Sequence, residues 1–191
     1  MSKFDPASHR MVPEQRWFED FRIGERFVLP SRTMTDGLFA AFQAASGDNH
    51  PVHYDVEYCR RHGMPGLLAH GFQTLIQTAA GAGLFPFMTE ESLAGFIEQS
   101  SKFLAPVFAG DTLYAALEVD ELTPNRTTGV VGLRSTVHNQ RAELVLEGRQ
   151  RYLLRRKNPR PPTAGEVETP PGGEGEGPAP PNAGGDRVGT S

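Results

Sequence analysis

An α+β architecture, an antiparallel sheet folded around one long helix, follows from three features of the 191-residue chain. The stretch Gly71–Gly83 carries Phe72, Leu75, Ile76, Ala79 and Ala80 on one broad face, which predicts a buried helix. Thr112–Asp120 alternates cleanly, with Leu113, Ala115, Leu117 and Val119 on one side, as a half-buried strand must. Apart from one early strand, the strand-like runs follow that helix rather than alternating with helices, and this ordering favours an antiparallel sheet over a parallel one.

Each element has a local reason. Trp17, Phe18 and Phe21 open the core, and Glu25–Thr33 reads as a first strand with Phe27 and Leu29 alternating with polar neighbours. Thr35 is a good helix N-cap, and Asp36 stands where the helix dipole favours a negative charge. Leu38, Phe39, Phe42 and Ala45 recur at helical spacing, and Gly47 lies where a C-cap glycine belongs, so Asp36–Ser46 reads as a short amphipathic helix ending at Asp48. Pro51 restricts Asn49 and His50 to turn or extended forms and makes Asp48–His53 a tight loop. Asp55–Arg61 reads as a further helical turn. Phe96–Phe103, Thr128–His138 and Ala142–Leu154 complete the strands, with turns at Gly110-Asp111, Pro124-Asn125 and Asn139-Gln140-Arg141.

Apolar residues make up 38% of the chain and lie almost entirely before residue 155. Residues 157–191 contain no aromatic residue and no Leu, Ile or Met, so they read as a disordered Pro/Gly/Glu-rich tail. Residues 1–15 read as a flexible arm, which leaves a single domain over 16–156. The formal net charge is −4 and no broad basic face is evident, which argues against a nucleic-acid partner. The basic run Arg155, Arg156, Lys157 and Arg160 reads as a solvated strand end, and Lys102 either as a solvated strand residue or as a contact for a phosphate. One cysteine, Cys59, excludes an internal disulfide and suits a reducing compartment. No stretch reads as a signal peptide or a membrane span, so a cytoplasmic protein is expected.

Chemistry concentrates in Gly47-Asp48-Asn49-His50-Pro51-Val52-His53 and Leu68-Ala69-His70-Gly71. A carboxylate and an imidazole across a Pro-stiffened loop can converge on one water, one taking its proton while the other serves the neighbouring carbon. The Gly71 amide, at a helix start, is free to stabilise an oxyanion. Spacing alone leaves a plain structural reading open, in which Asp48 and His53 only hold an Asx-turn. A metal site from His50, His53 and His70 would lack thiolates or helical i, i+4 spacing, so no metal is expected.

The stretch Ser46–Asp55, then Leu68-Ala69-His70-Gly71, then Phe103–Leu113 with its Ala105-Pro106-Val107-Phe108-Ala109-Gly110-Asp111, resembles the MaoC-like dehydratase family, which includes the (R)-specific enoyl-CoA hydratases. Trp17-Phe18-Glu19-Asp20-Phe21 is similar to the opening of that family, and the resemblance covers about residues 16–155. It implies the hot-dog fold, homodimers built by pairing sheet edges, and an acyl-CoA substrate whose acyl group runs beside the long helix. It implies reversible addition of water to a trans-2-enoyl thioester by Asp48 and His53, with the Gly71 N–H on the thioester carbonyl and no metal or redox cofactor. The family loop commonly has Asn where this chain has His50, and His50 and His70 are expected to orient the loop. Phe72, Phe85, Phe87, Phe96 and Phe103 are candidate tunnel or core residues. A hot-dog thioesterase and a non-catalytic acyl-CoA-binding module are the alternative readings.

Overall fold

The computed structural model describes Pro6 and residues 9–159, all within one compact unit. The tail assigned from the sequence lies, beyond Pro159, outside the described residues. Six strands and four short α-helices make up this unit: β1 (Arg26–Val28), β2 (Arg32–Thr33), α1 (Asp36–Ser46), α2 (Val56–Arg61), α3 (Gly71–Leu75), α4 (Phe85–Met88), β3 (Leu93–Phe103), β4 (Thr112–Pro124), β5 (Thr128–His138) and β6 (Leu144–Arg155). The strands form one antiparallel sheet in the order β1-β4-β5-β6-β3, with β2 also on β4. This is the α+β class expected.

The helix signals act as written in the sequence. The Thr35 hydroxyl accepts from the Leu38 amide, and Gly47 closes α1 in the left-handed conformation at φ 74°. Asp55 caps α2 by accepting from the Tyr58 amide. The single strand expected over Glu25–Thr33 is two, β1 and β2, separated at a segment containing Pro30, which has no amide to give a ladder.

The central helix departs most from expectation. Helix α3 ends at Leu75, 3₁₀ turns follow at Ile76–Thr78 and Ala80–Ala82, and Ala79 between them leaves helical geometry at φ −58°, ψ 118°. Gln150 of β6 accounts for the break. Its Nε2 donates to the Thr78 carbonyl at 2.8 Å and to Thr78 Oγ1 at 2.9 Å. That carbonyl is the one the Ala82 amide would take in a continuous helix, and the Ala82 amide turns to Ala79 instead. Gly81 and Gly83 weaken any competing helix.

The buried face also differs from the one expected. Ala80 is buried as expected, but so are Gln73, Thr74 and Thr78, whereas Phe72 is 71% and Ile76 50% exposed. The core proper lies between the sheet and the flanking elements: Phe18, Phe21, Leu29, Met34, Phe39 and Phe85 pack with Leu117, Val131, Leu133, Leu146 and Leu154. Phe85 belongs to this core, against Phe21, Phe27 and Tyr152.

Candidate active site

The α1 C-cap delivers Asp48 to the surface, with 53% of its side chain exposed, and a 3₁₀ turn over Pro51–His53 swings His53 back inward. His50 caps that turn. Its Nδ1 accepts from the Val52 amide at 3.3 Å, the bond an Asn side-chain oxygen would make from the same place. Its ring centroid lies 6.3 Å from that of His53.

His53 is buried, and its Nδ1 lies 2.7 Å from the Leu68 carbonyl. A carbonyl only accepts, so Nδ1 carries the proton and the lone pair of the neutral ring is on Nε2. Nε2 faces Asp48 Oδ2 at 4.0 Å. This distance exceeds a direct hydrogen bond but suits one bridging water making two bonds of about 2.8 Å. Burial lowers the His53 pKa below its usual 6.5; the Leu68 bond and Asp48 oppose that shift, and His70 and His50 reinforce it. The shift favours the neutral ring.

His70 joins the two. It is 1% exposed, its Nε2–H donates to the Asp48 carbonyl at 3.1 Å, and the Gln73 carboxamide lies 3.4 Å from its Nδ1. Its ring stacks on His53 with centroids 3.6 Å apart and 20° between planes, and Phe42 and Phe39 pack against it. Gln73 and the Leu68 carbonyl are the partners sequence reasoning missed. Gln73 had a signal, since a Gln three residues after a helix N-cap reaches back toward it. The Leu68 carbonyl had none.

Asp48, His53 and His70 place possible ligand atoms within 4.8 Å of one another, so Asp48 stands where the sequence reading of a metal set put His50. The geometry does not suit an ion. Both nitrogens of His70 face protein partners, and the lone pairs of stacked rings run in parallel planes rather than meeting at the roughly 2.0–2.1 Å a zinc–imidazole bond requires.

Gly71 begins α3 beside a groove of about 330 Å³ lined by Leu68, Ala69, Thr74, Phe103, Ala105 and Val107, among others. Asp48 and His53 do not line it; it approaches them through Leu68 and Ala69. A methyl group built on Gly71 would stand 3.4 Å from the Phe103 ring, so the missing side chain keeps the groove open there. The other sequence candidates fall outside the site. Lys102 pairs with Glu147, and Arg156 and Lys157 pair with Glu19 and Asp20. Cys59 is buried, its thiol on the Val52 carbonyl. Among the described residues no helix is long and apolar enough to cross a membrane.

Comparison with known proteins places the chain in a family. Residues 20–140 match the family model described as a MaoC like domain. The chain is 29% identical over 160 residues to a 3-hydroxybutyryl-CoA dehydratase of Methylorubrum extorquens, covering 81% of this chain and 95% of the relative. Among solved structures it is similar to a monoamine oxidase regulatory protein of Archaeoglobus fulgidus (TM-score 0.70, 31% identity, 76% of this chain and 97% of that one). It is also similar to a conserved hypothetical protein of Mycobacterium tuberculosis with a double hot-dog fold (TM-score 0.64, 29% identity, 78% of this chain and 47% of that one).

Proposed function

Because this chain belongs to the MaoC-like dehydratase family and has its hot-dog fold, we propose that it adds water reversibly to the double bond of a trans-2-enoyl-CoA thioester, with Asp48 and His53 as the acid–base pair. The observation that carries this reading is the unprotonated Nε2 of His53 facing the Asp48 carboxyl group across the width of one water. That water donates one hydrogen bond to the carboxylate and one to the imidazole, aims its oxygen at Cβ, and gives up only one of the two hydrogens, the other staying on the oxygen as the product hydroxyl. As the C–O bond forms, the proton it gives up passes to Cα on the same face, and dehydration retraces the path. Negative charge builds on the thioester oxygen, where the Gly71 N–H meets it. Hydration is redox-neutral, so the reaction calls for no cofactor beyond the CoA of the substrate. The name of the Methylorubrum relative describes the reverse of crotonyl-CoA hydration and supports the same chemistry.

In this reading the working unit is a cytoplasmic homodimer. Strand β3 ends the sheet, and Phe96, Ile97 and Phe103 on it are exposed, as are Leu104 just after it and Phe72 and Ile76. The test of function is the loss of enoyl absorbance when the protein meets crotonyl-CoA, beside Asp48→Asn and His53→Ala. Turnover that falls by about 10²-fold or more in both variants supports the assignment. Full activity in Asp48→Asn would sink it, release of free thiol would mark a thioesterase, and binding without turnover a non-catalytic module.

A further inference from the structure

The Leu68 carbonyl that sets the tautomer of His53 is itself held from outside the site. The segment Leu67–Ala69 lies antiparallel to Val107–Ala109: the Ala69 amide donates to the Val107 carbonyl at 2.8 Å and the Ala109 amide to the Leu67 carbonyl at 2.9 Å. Leu68 opposes Phe108 between those bonds, so its own amide and carbonyl point the other way, to the Val52 carbonyl and to His53 Nδ1. The place of Val107–Ala109 thus decides the place of the Leu68 oxygen.

Asp111 fixes that strip. It is buried, and its Oδ2 accepts from the Phe108 amide at 2.9 Å, closing the turn in which Gly110 adopts φ 93°. Its Oδ1 accepts from Gln140 at 2.6 Å and Arg141 at 3.0 Å, both from the tip of the β5–β6 hairpin. Burial pushes the Asp111 carboxyl up, and the Phe108 amide, Gln140 and Arg141 more than offset this and hold it below its ordinary range. Gln140 is anchored in turn by the Thr112 amide, and Asn139 braces the hairpin by accepting from the Arg141 and Glu143 amides. Ala142 takes φ 59°, where glycine is the usual occupant, and is the one non-glycine residue at positive φ among the described residues. The hairpin tip is therefore held in a costly conformation with its side chains on Asp111.

We propose that Asp111, clamped by Gln140 and Arg141, is a positioning residue for the reaction: through Phe108 and Leu68 it fixes which nitrogen of His53 carries the proton. The proposal rests on the acid–base role given to His53 above. In water the imidazole prefers the Nε2–H form, which would present a proton instead of a lone pair toward Asp48. Loosening Leu68 returns His53 toward that form.

The test is ¹⁵N NMR of histidine-labelled full-length protein. Wild type shows His53 as the Nδ1–H tautomer. Asp111→Ala shifts it to a mixture containing Nε2–H and lowers kcat about tenfold or more, with KM changed by less than about twofold. A folded Asp111→Ala protein that keeps the wild-type tautomer overturns the proposal. If that variant does not fold, the double variant Gln140→Leu/Arg141→Met, on the exposed hairpin tip, decides by the same spectrum: a mixed tautomer supports the clamp, an unchanged one overturns it. The tautomer is read without turnover, so this result stands apart from success or failure of the hydratase assay.

Discussion

The imidazoles of His53 and His70 lie face to face, 3.6 Å between centroids and 20° between planes. His70 spends its Nε2–H on the backbone of Asp48 and its ring face on His53, so a single buried side chain touches both members of the proposed acid–base pair. Replacing His70 with Ala should lower kcat by about 10²-fold through misplacement of both partners. Steady-state kinetics check this, and His70→Asn, which keeps a donor for the Asp48 carbonyl but loses the stacked ring, should recover part of the loss.

The depressed pKa of His53 gives a pH dependence with a definite sign. In the proposed reaction the neutral ring is the base, so the acid limb of kcat/KM should lie below the ordinary histidine value of 6.5. Stability follows the same group. The unfolded chain binds the proton more readily than the folded one, so the His53 contribution is complete above pH 6.5 and is lost as pH falls through the lower folded value. Denaturant unfolding at a series of pH values would show the midpoint declining in that window, and His53→Gln should flatten the decline.

Gln150→Leu removes both bonds to Thr78 and the acceptor of the Tyr152 hydroxyl, all in buried or half-buried surroundings. A loss of about 1–3 kcal/mol is expected for polar groups left unmatched there. Urea unfolding measures it. A neutral outcome would mean that the Ala82 amide had recaptured the Thr78 carbonyl and the helix had closed up, which circular dichroism would register as added helix.

Ala142→Gly should act in the opposite direction. Relief of the left-handed strain at φ 59° is worth up to about 1 kcal/mol, so the melting temperature should rise. Activity should be unchanged so long as Arg141 stays on Asp111.

What the sequence made legible is what short range decides. Thr35, Gly47, Asp55 and Pro51 each act on neighbours within a few residues, and the strand alternation after residue 112 needs only its own period. The convergence of Asp48 and His53 belongs to the same class. The broken central helix does not, because its cause is Gln150, 72 residues away, competing for one carbonyl. The inverted burial of Phe72 and Gln73 was hidden for a related reason. Apolar periodicity names a helix face but not what lies opposite, and here His70 draws Gln73 inward. The Leu68 carbonyl was invisible because a main-chain oxygen has no letter in a sequence.

That last point bears on how such a site tolerates change. The group that selects the proton-bearing nitrogen of His53 is present whatever residue occupies position 68, so substitution there alters packing but leaves the acceptor in being. Drift can therefore reshape the walls of the groove, and with them the shapes it admits, while the tautomer of His53 passes unaltered from one sequence to the next.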